Sequence, residues 1–123
     1  MFETKLFQDG NAALSNERRL SQRLPIAVQM ELRARENSIP IRLKTADISI
    51  GGCYVEMSVT IEPGTDLDII LRLEHENLPL QGRIVTKHPQ FGNGIEFIGI
   101  TPEVETQLRS FLDTAGSYEN LSN

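Results

Sequence analysis

Alternation of apolar and polar residues limits this chain more than any other feature. In IAVQMELRA, residues 26–34, the positions Ile26, Val28, Met30, Leu32 and Ala34 are apolar, and Gln29, Glu31 and Arg33 lie between them. A period of two sends successive side chains to opposite faces, so this run reads as a strand with one buried face. Five further strand-like runs follow. ENS at 36–38 is a turn signal. The run 39–48 then places Ile39, Ile41 and Leu43 on one face and Arg42 and Lys44 on the other. Pro40 near its start marks an edge or a strand entry. CYVEM at 53–57 is a third strand, and Pro63-Gly64 turns the chain. LDIILRL at 67–73 carries Leu67, Ile69, Leu71 and Leu73 on one face, and EHEN at 74–77 turns. LPLQGRIVTKH at 78–88 is a fifth strand, in which Gly82 is expected to form a bulge or tight bend. PQFGNG at 89–94 turns once more, and GIEFIGI at 94–100 is the sixth strand, with Ile95 and Phe97 pointing one way.

The ending has another period. Thr101 suits an N-cap and Pro102 the first helical position. Glu103 and Glu105 fall in the first turn, where the helix dipole favours anions. Val104, Leu108, Phe111 and Leu112 follow the spacing of one helix face, and Gly116 is placed to end the helix. Short, evenly spaced strands followed by one amphipathic helix predict a mainly all-β fold, a small six-stranded antiparallel barrel. The helix must bury its stripe by plugging or flanking that barrel. Residues 1–16 show no convincing period and are expected to form a flexible tail, or else a short helix that reaches into ERRL; the domain is expected over 17–115, with a second tail at 116–123.

Composition narrows the function classes. A chain of 123 residues, 39% hydrophobic and 24% charged, fits one soluble domain. The lone Cys53 cannot form an intrachain disulfide. The N-terminal stretch carries no signal-like apolar run, and no stretch reaches the length of a membrane span. The expectation is a cytoplasmic protein without membrane insertion. Net charge is −5, unevenly spread. Residues 17–44 hold seven basic side chains against three acids, whereas 45–123 hold four against twelve. Such a protein is not expected to coat long nucleic acid. Its basic N-terminal part either grips a small anion or forms a solvated face.

Catalysis finds little support. His75 and His88 sit at strand ends among polar residues, Ser49 lies outside the nucleophile-elbow pattern, and Cys53 opens a strand as a small core residue. One cysteine and two separated histidines make a poor metal set, so neither metal nor cofactor is expected. No phosphate-binding glycine loop of the P-loop or dinucleotide kind occurs, and FGNG at 91–94 reads as a hairpin turn. An enzyme is therefore not expected.

Binding remains. Arg19 and Arg23 stand four apart in RRLSQR, just before the first strand. A guanidinium is planar, always charged, and clamps phosphate or the O6/N7 edge of guanine. Equally, such a pair can salt-bridge to acids of the protein. DISIGG at 47–52 joins two strands with a carboxylate, a hydroxyl and two glycines. Asp47 accepts hydrogen bonds only, which suits the N–H donors of guanine. Ser49 can donate or accept, and Gly51 and Gly52 allow close backbone approach. The alternative is a turn in which Asp47 bonds its own backbone.

The two motifs together, Arg19-x-x-x-Arg23, then 23 residues, then Asp47-x-Ser49-x-x-Gly52, resemble the bipartite signature of PilZ domains. The likeness runs from Glu17 to Leu112 and includes Pro63-Gly64 and the closing Gly94-Ile95-Glu96-Phe97. The resemblance implies a six-stranded antiparallel barrel with a C-terminal helix, and binding of the bacterial second messenger cyclic di-GMP. It implies that Arg19 and Arg23 contact phosphate and guanine, that Asp47 and Ser49 face a guanine, and that Gly52, beside Gly51, leaves room for ligand. Arg18, directly before the motif, adds a possible phosphate contact. Output would pass to an unidentified protein partner. The rival from another class is a nucleotide-independent protein-interaction adaptor whose arginines meet an acidic partner.

Overall fold

The computed structural model describes residues 22–34 and 39–122. Its strands are β1 (Gln29–Ala34), β2 (Ile41–Ile48), β3 (Gly52–Glu56), β4 (Asp66–Arg72), β5 (Asn77–His88) and β6 (Gly92–Ile98), followed by one helix, α1 (Pro102–Ser122). The strands close into an antiparallel barrel in the order β1-β2-β3-β6-β5-β4, with β4 returning to β1. In this order β1 and β6 stand on opposite walls. The alternation buries Met30 and Leu32 from β1, Leu67, Ile69 and Leu71 from β4, and Leu78, Leu80 and Ile84 from β5. Each fully buried leucine or isoleucine contributes about 1.5–3 kcal/mol over its exposed state.

The helix begins as its sequence dictates. Thr101 Oγ1 accepts from the Val104 amide at 3.2 Å, and the Thr101 carbonyl accepts from Glu105 at 2.8 Å. Leu108 is fully buried, and Val104, Phe111 and Leu112 pack against the barrel core. The helix thus flanks the barrel, tied at its start by a 2.7 Å bond from Gln107 Nε2 to Glu76 Oε1 in the β4–β5 turn.

Several expectations need correction. The helix does not stop at Gly116 but continues to Ser122, through the stretch expected as a tail. A glycine stop needs a left-handed backbone, and the glycines with positive φ are Gly64 (90°) and Gly99 (58°), not Gly116. Gly116 instead brings the helix against Leu24: a Cβ there would lie 3.8 Å from Leu24 Cδ1. Gly82 is not a bulge; it pairs regularly with Leu67 and Phe97. It is small because a Cβ would press on Ile69 at 2.6 Å and Ile95 at 2.8 Å. FGNG is not a turn: the chain reverses at Pro89–Phe91, with Gln90 at φ 70°, and Gly92, Asn93 and Gly94 already belong to β6. The first ladder starts at Gln29 rather than Ile26, because Thr45 Oγ1 donates to the Ile26 carbonyl and accepts from the Val28 amide. Ile41 does share the face of Leu43, opposite the buried Leu32, but at the end of β2 it stays exposed, as does Ile39.

Candidate ligand-binding site

Two bulges build the site. In β2 the inward positions are Leu43 and Thr45, and unbroken alternation would turn Asp47 inward as well. The β2–β3 register shifts between Thr45 and Asp47, so Ala46 is an extra residue. Ile48 becomes the next buried position and Asp47 faces outward, its side chain one-third exposed. In β5, Leu78, Leu80, Gly82 and Ile84 face inward, and the β5–β6 register then shifts between Ile84 and Thr86. Val85 is the extra residue, and its side chain is 46% exposed. Asp47, re-aimed by its bulge, and Val85, the extra residue of the other, border one corner of the barrel.

Arg23 reaches that corner from the segment before β1. Leu24 anchors it: its amide donates to the Ile48 carbonyl at 2.9 Å, and the Ile48 amide donates to the Leu24 carbonyl at 3.0 Å. Arg23 Nη1 then donates to Asp47 Oδ1 at 2.6 Å, with half of the arginine side chain still exposed. The salt bridge considered above for the arginines is thus the observed state of Arg23. An open depression of about 620 Å³ lies alongside, lined by Arg23, Ser49, Ile50, Gly51, Val85 and Glu96, with Ile95 beneath.

The hydroxyl and the glycines are held tightly. Ser49 is buried; its hydroxyl donates to the Gly52 carbonyl at 3.4 Å and accepts from the Gly51 amide at 3.2 Å. It shapes the turn and edges the depression rather than standing free on the barrel surface. Gly51 is exposed, and its carbonyl accepts from the Phe97 amide at 2.9 Å. Gly52 is buried, and a Cβ on it would fall 2.1 Å from the Ile95 carbonyl oxygen. Its smallness serves the approach of β3 to β6. Arg18 and Arg19 lie outside the described residues.

Charge and burial set the chemistry. The described part of the corner carries one guanidinium, Arg23, against two carboxylates, Asp47 and Glu96, once Arg83 is set aside with its own partner Asp66. Arg83, beside Glu96, is held protonated above its ordinary range, first by its hydrogen bond to Asp66, at 2.8 Å. Beneath Asp47, burial pushes the Cys53 thiol up to about 12, the Asp47 charge adding and Arg23 subtracting. Cys53 is therefore a protonated core residue, not a nucleophile. Among the described residues no group of three or more potential ligands could hold a metal ion. No described helix is long and apolar enough to cross a membrane. Val85 and Glu96 were missed from the sequence. Glu96 lay inside a motif read only for its neighbours, and Val85, which alternation turns outward with Gln81 and Arg83, carries no polar group to single it out.

The sequence pattern of the PilZ domain matches residues 17–114. The chain belongs to the PilZ family. Among solved structures, the PilZ domain of CeSA from a cellulose-synthesizing bacterium is 26% identical, with a TM-score of 0.62 over 76% of this chain and 99% of that one. The PilZ domain of YcgR from Escherichia coli, solved with c-di-GMP, is 13% identical, with a TM-score of 0.62 over 81% of this chain and 93% of that one. MotI/DgrA, an inhibitor of motility from Bacillus subtilis, is 18% identical with a TM-score of 0.65; this PilZ domain covers 78% of itself and half of that chain. The last two likenesses are of fold. A comparison with curated protein sequences finds no match.

Proposed function

We propose that this PilZ domain is a non-enzymatic receptor for cyclic di-GMP that changes conformation on binding and signals to a protein partner. The observation that carries the reading is the meeting of Arg23 with Asp47, 24 positions apart in sequence, at the rim of a depression edged by Ser49 and Gly51. A solved relative of the same fold holds c-di-GMP.

Magnitudes favour exchange of partners. An exposed ion pair such as Arg23–Asp47 contributes about 1 kcal/mol or less. Each charge-assisted bond from a guanidinium to phosphate contributes about 1.5–3 kcal/mol. A phosphate that accepts two bonds from the guanidinium therefore replaces the single bond to Asp47, and the freed carboxylate accepts from the N–H edge of a guanine. Glu96 offers a second acceptor on the same wall. With one guanidinium against two carboxylates, the described corner cannot by itself balance a dianion. The neighbouring basic residues of the motif, Arg18 and Arg19, are assigned the remaining positive charge. Moving Arg23 pulls on Leu24, which is bonded to Ile48 and lies against α1 at Gly116, so the shift reaches the helix.

Isothermal titration with cyclic di-GMP tests this reading. Saturable heat that is lost in Arg23→Ala and Asp47→Ala supports it. No heat at ligand concentrations of about 100 μM, well above a micromolar Kd, or full affinity in Arg23→Ala, overturns it in favour of the nucleotide-independent adaptor.

A further inference from the structure

On the wall opposite the depression, the outer face of β1, β2 and β4 carries a second arginine constellation. The Glu31 carboxylate is only 13% exposed and sits among three guanidiniums: Arg72 Nη2 at 3.1 Å, Arg42 Nε at 3.5 Å and Arg33 Nη2 at 4.0 Å. The register explains the gathering. Glu31 pairs with Arg42 across to β2 and with Ile70 across to β4, and Gln29 pairs with Lys44 and Arg72. Arg33 also faces Asp68, which is itself engaged. Among the described residues of this face, three arginines and Lys44 thus stand against Glu31 and Asp68, with Asp66 further along β4 paired to Arg83, in a protein whose net charge is −5.

From this arrangement we infer a docking surface for an acidic protein segment on the β1-β2-β4 face. Three guanidiniums bring roughly fifteen N–H donors, and one carboxylate engages only a few of them. Glu31 holds the arginine heads in place, so less side-chain freedom is lost when they take up new carboxylates. Arg42 remains 77% exposed, and the half-buried Ile70, opposite Glu31 on the same face, supplies apolar contact nearby. Arginine beside apolar surface is the composition of interface hot spots. The interspersed carboxylates break the patch into separate positive points. That suits spaced side-chain carboxylates better than a continuous phosphate chain. On β2, Arg42 and Lys44 are alternate residues, and carboxylates on alternate residues of an extended peptide repeat at the same distance, about 6.6 Å. The surface deepens the receptor reading by giving its protein partner a place. Peptide binding is read in the absence of cyclic di-GMP, so the two readings fail separately.

The probe is a fluorescein-labelled ten-residue peptide of alternating Glu and Thr, followed by fluorescence anisotropy. Wild type is expected to bind saturably, more weakly as salt rises. Arg42→Glu/Arg72→Glu is expected to weaken binding at least about tenfold, and Lys44→Glu about threefold. The double variant should still bind cyclic di-GMP. Equal affinity in a double variant that melts like wild type overturns the inference; if that variant does not fold, equal affinity in Lys44→Glu does so. A twelve-residue oligothymidylate displacing the peptide at lower concentration than unlabelled peptide does overturns it in favour of nucleic acid. Dimerisation by sedimentation, abolished by the charge reversals, overturns it in favour of a second copy.

Discussion

Arg23 and Arg72 both sit on carboxylates at the barrel surface, yet their settings differ. Arg23 has Asp47 as a one-to-one partner beside an open depression. Arg72 shares the mostly buried Glu31 with Arg42 and Arg33. The first arrangement is neutral until a ligand replaces the partner. The second is positive from the start and structurally committed, because its carboxylate is enclosed. A balanced exposed pair suits a switch, and an unbalanced enclosed hub suits a standing surface.

The largest expected effect separates backbone from charge on the depression side. Gly52→Ala forces a Cβ to within 2.1 Å of the Ile95 carbonyl, so β3 and β6 must separate. A loss of about 3 kcal/mol is expected in urea unfolding. Next comes the direct contrast of the two carboxylates. Glu31→Gln leaves three guanidiniums without their anion and is expected to cost about 2 kcal/mol, less in high salt where their repulsion is screened. Asp47→Asn removes an exposed pair and is expected to cost about 1 kcal/mol or less. Equal losses in the two variants would erase the distinction between hub and pair.

Ligand affinity gives a smaller effect. Arg23→Ala is expected to weaken cyclic di-GMP binding at least about tenfold, or about 1.4 kcal/mol. Its thermal midpoint should stay within about 4 °C of wild type. The smallest effect at neutral pH lies beneath Asp47. Native Cys53 should resist thiol reagents at pH 8 and react fully once unfolded. Because the folded thiol keeps its proton to about 12 against an ordinary 9.0, the unfolded chain releases its proton first. Stability therefore falls as pH rises across that window, and Cys53→Ala should flatten the fall.

Much of the barrel was legible because burial on one face imposes period two. Leu67, Ile69 and Leu71, or Leu78 and Leu80, admit no other register. The helix start was legible too, since Thr101 and Pro102 act locally. What escaped depends on distant partners. Gly82 and Gly116 look like a bulge and a stop by residue type, but Ile69 and Leu24 decide their roles. The bulges at Ala46 and Val85 leave no composition mark, yet they determine that Asp47 and Thr86, which strict alternation would turn inward, face outward. At the candidate site the motif identified Arg23, Asp47 and Ser49 as residues that meet. It did not show that Ser49 would be buried, that Gly52 would serve strand packing, or that Glus at 31 and 96 would matter.

Backbone amide chemical shifts during titration with cyclic di-GMP test the division between the two walls most directly. Binding at the depression predicts shifts at Ser49, Ile50, Gly51, Val85 and Glu96, with Gln29, Glu31 and Arg42 unmoved. Shifts concentrated around Glu31 and Arg72, or none at saturating ligand, would contradict it.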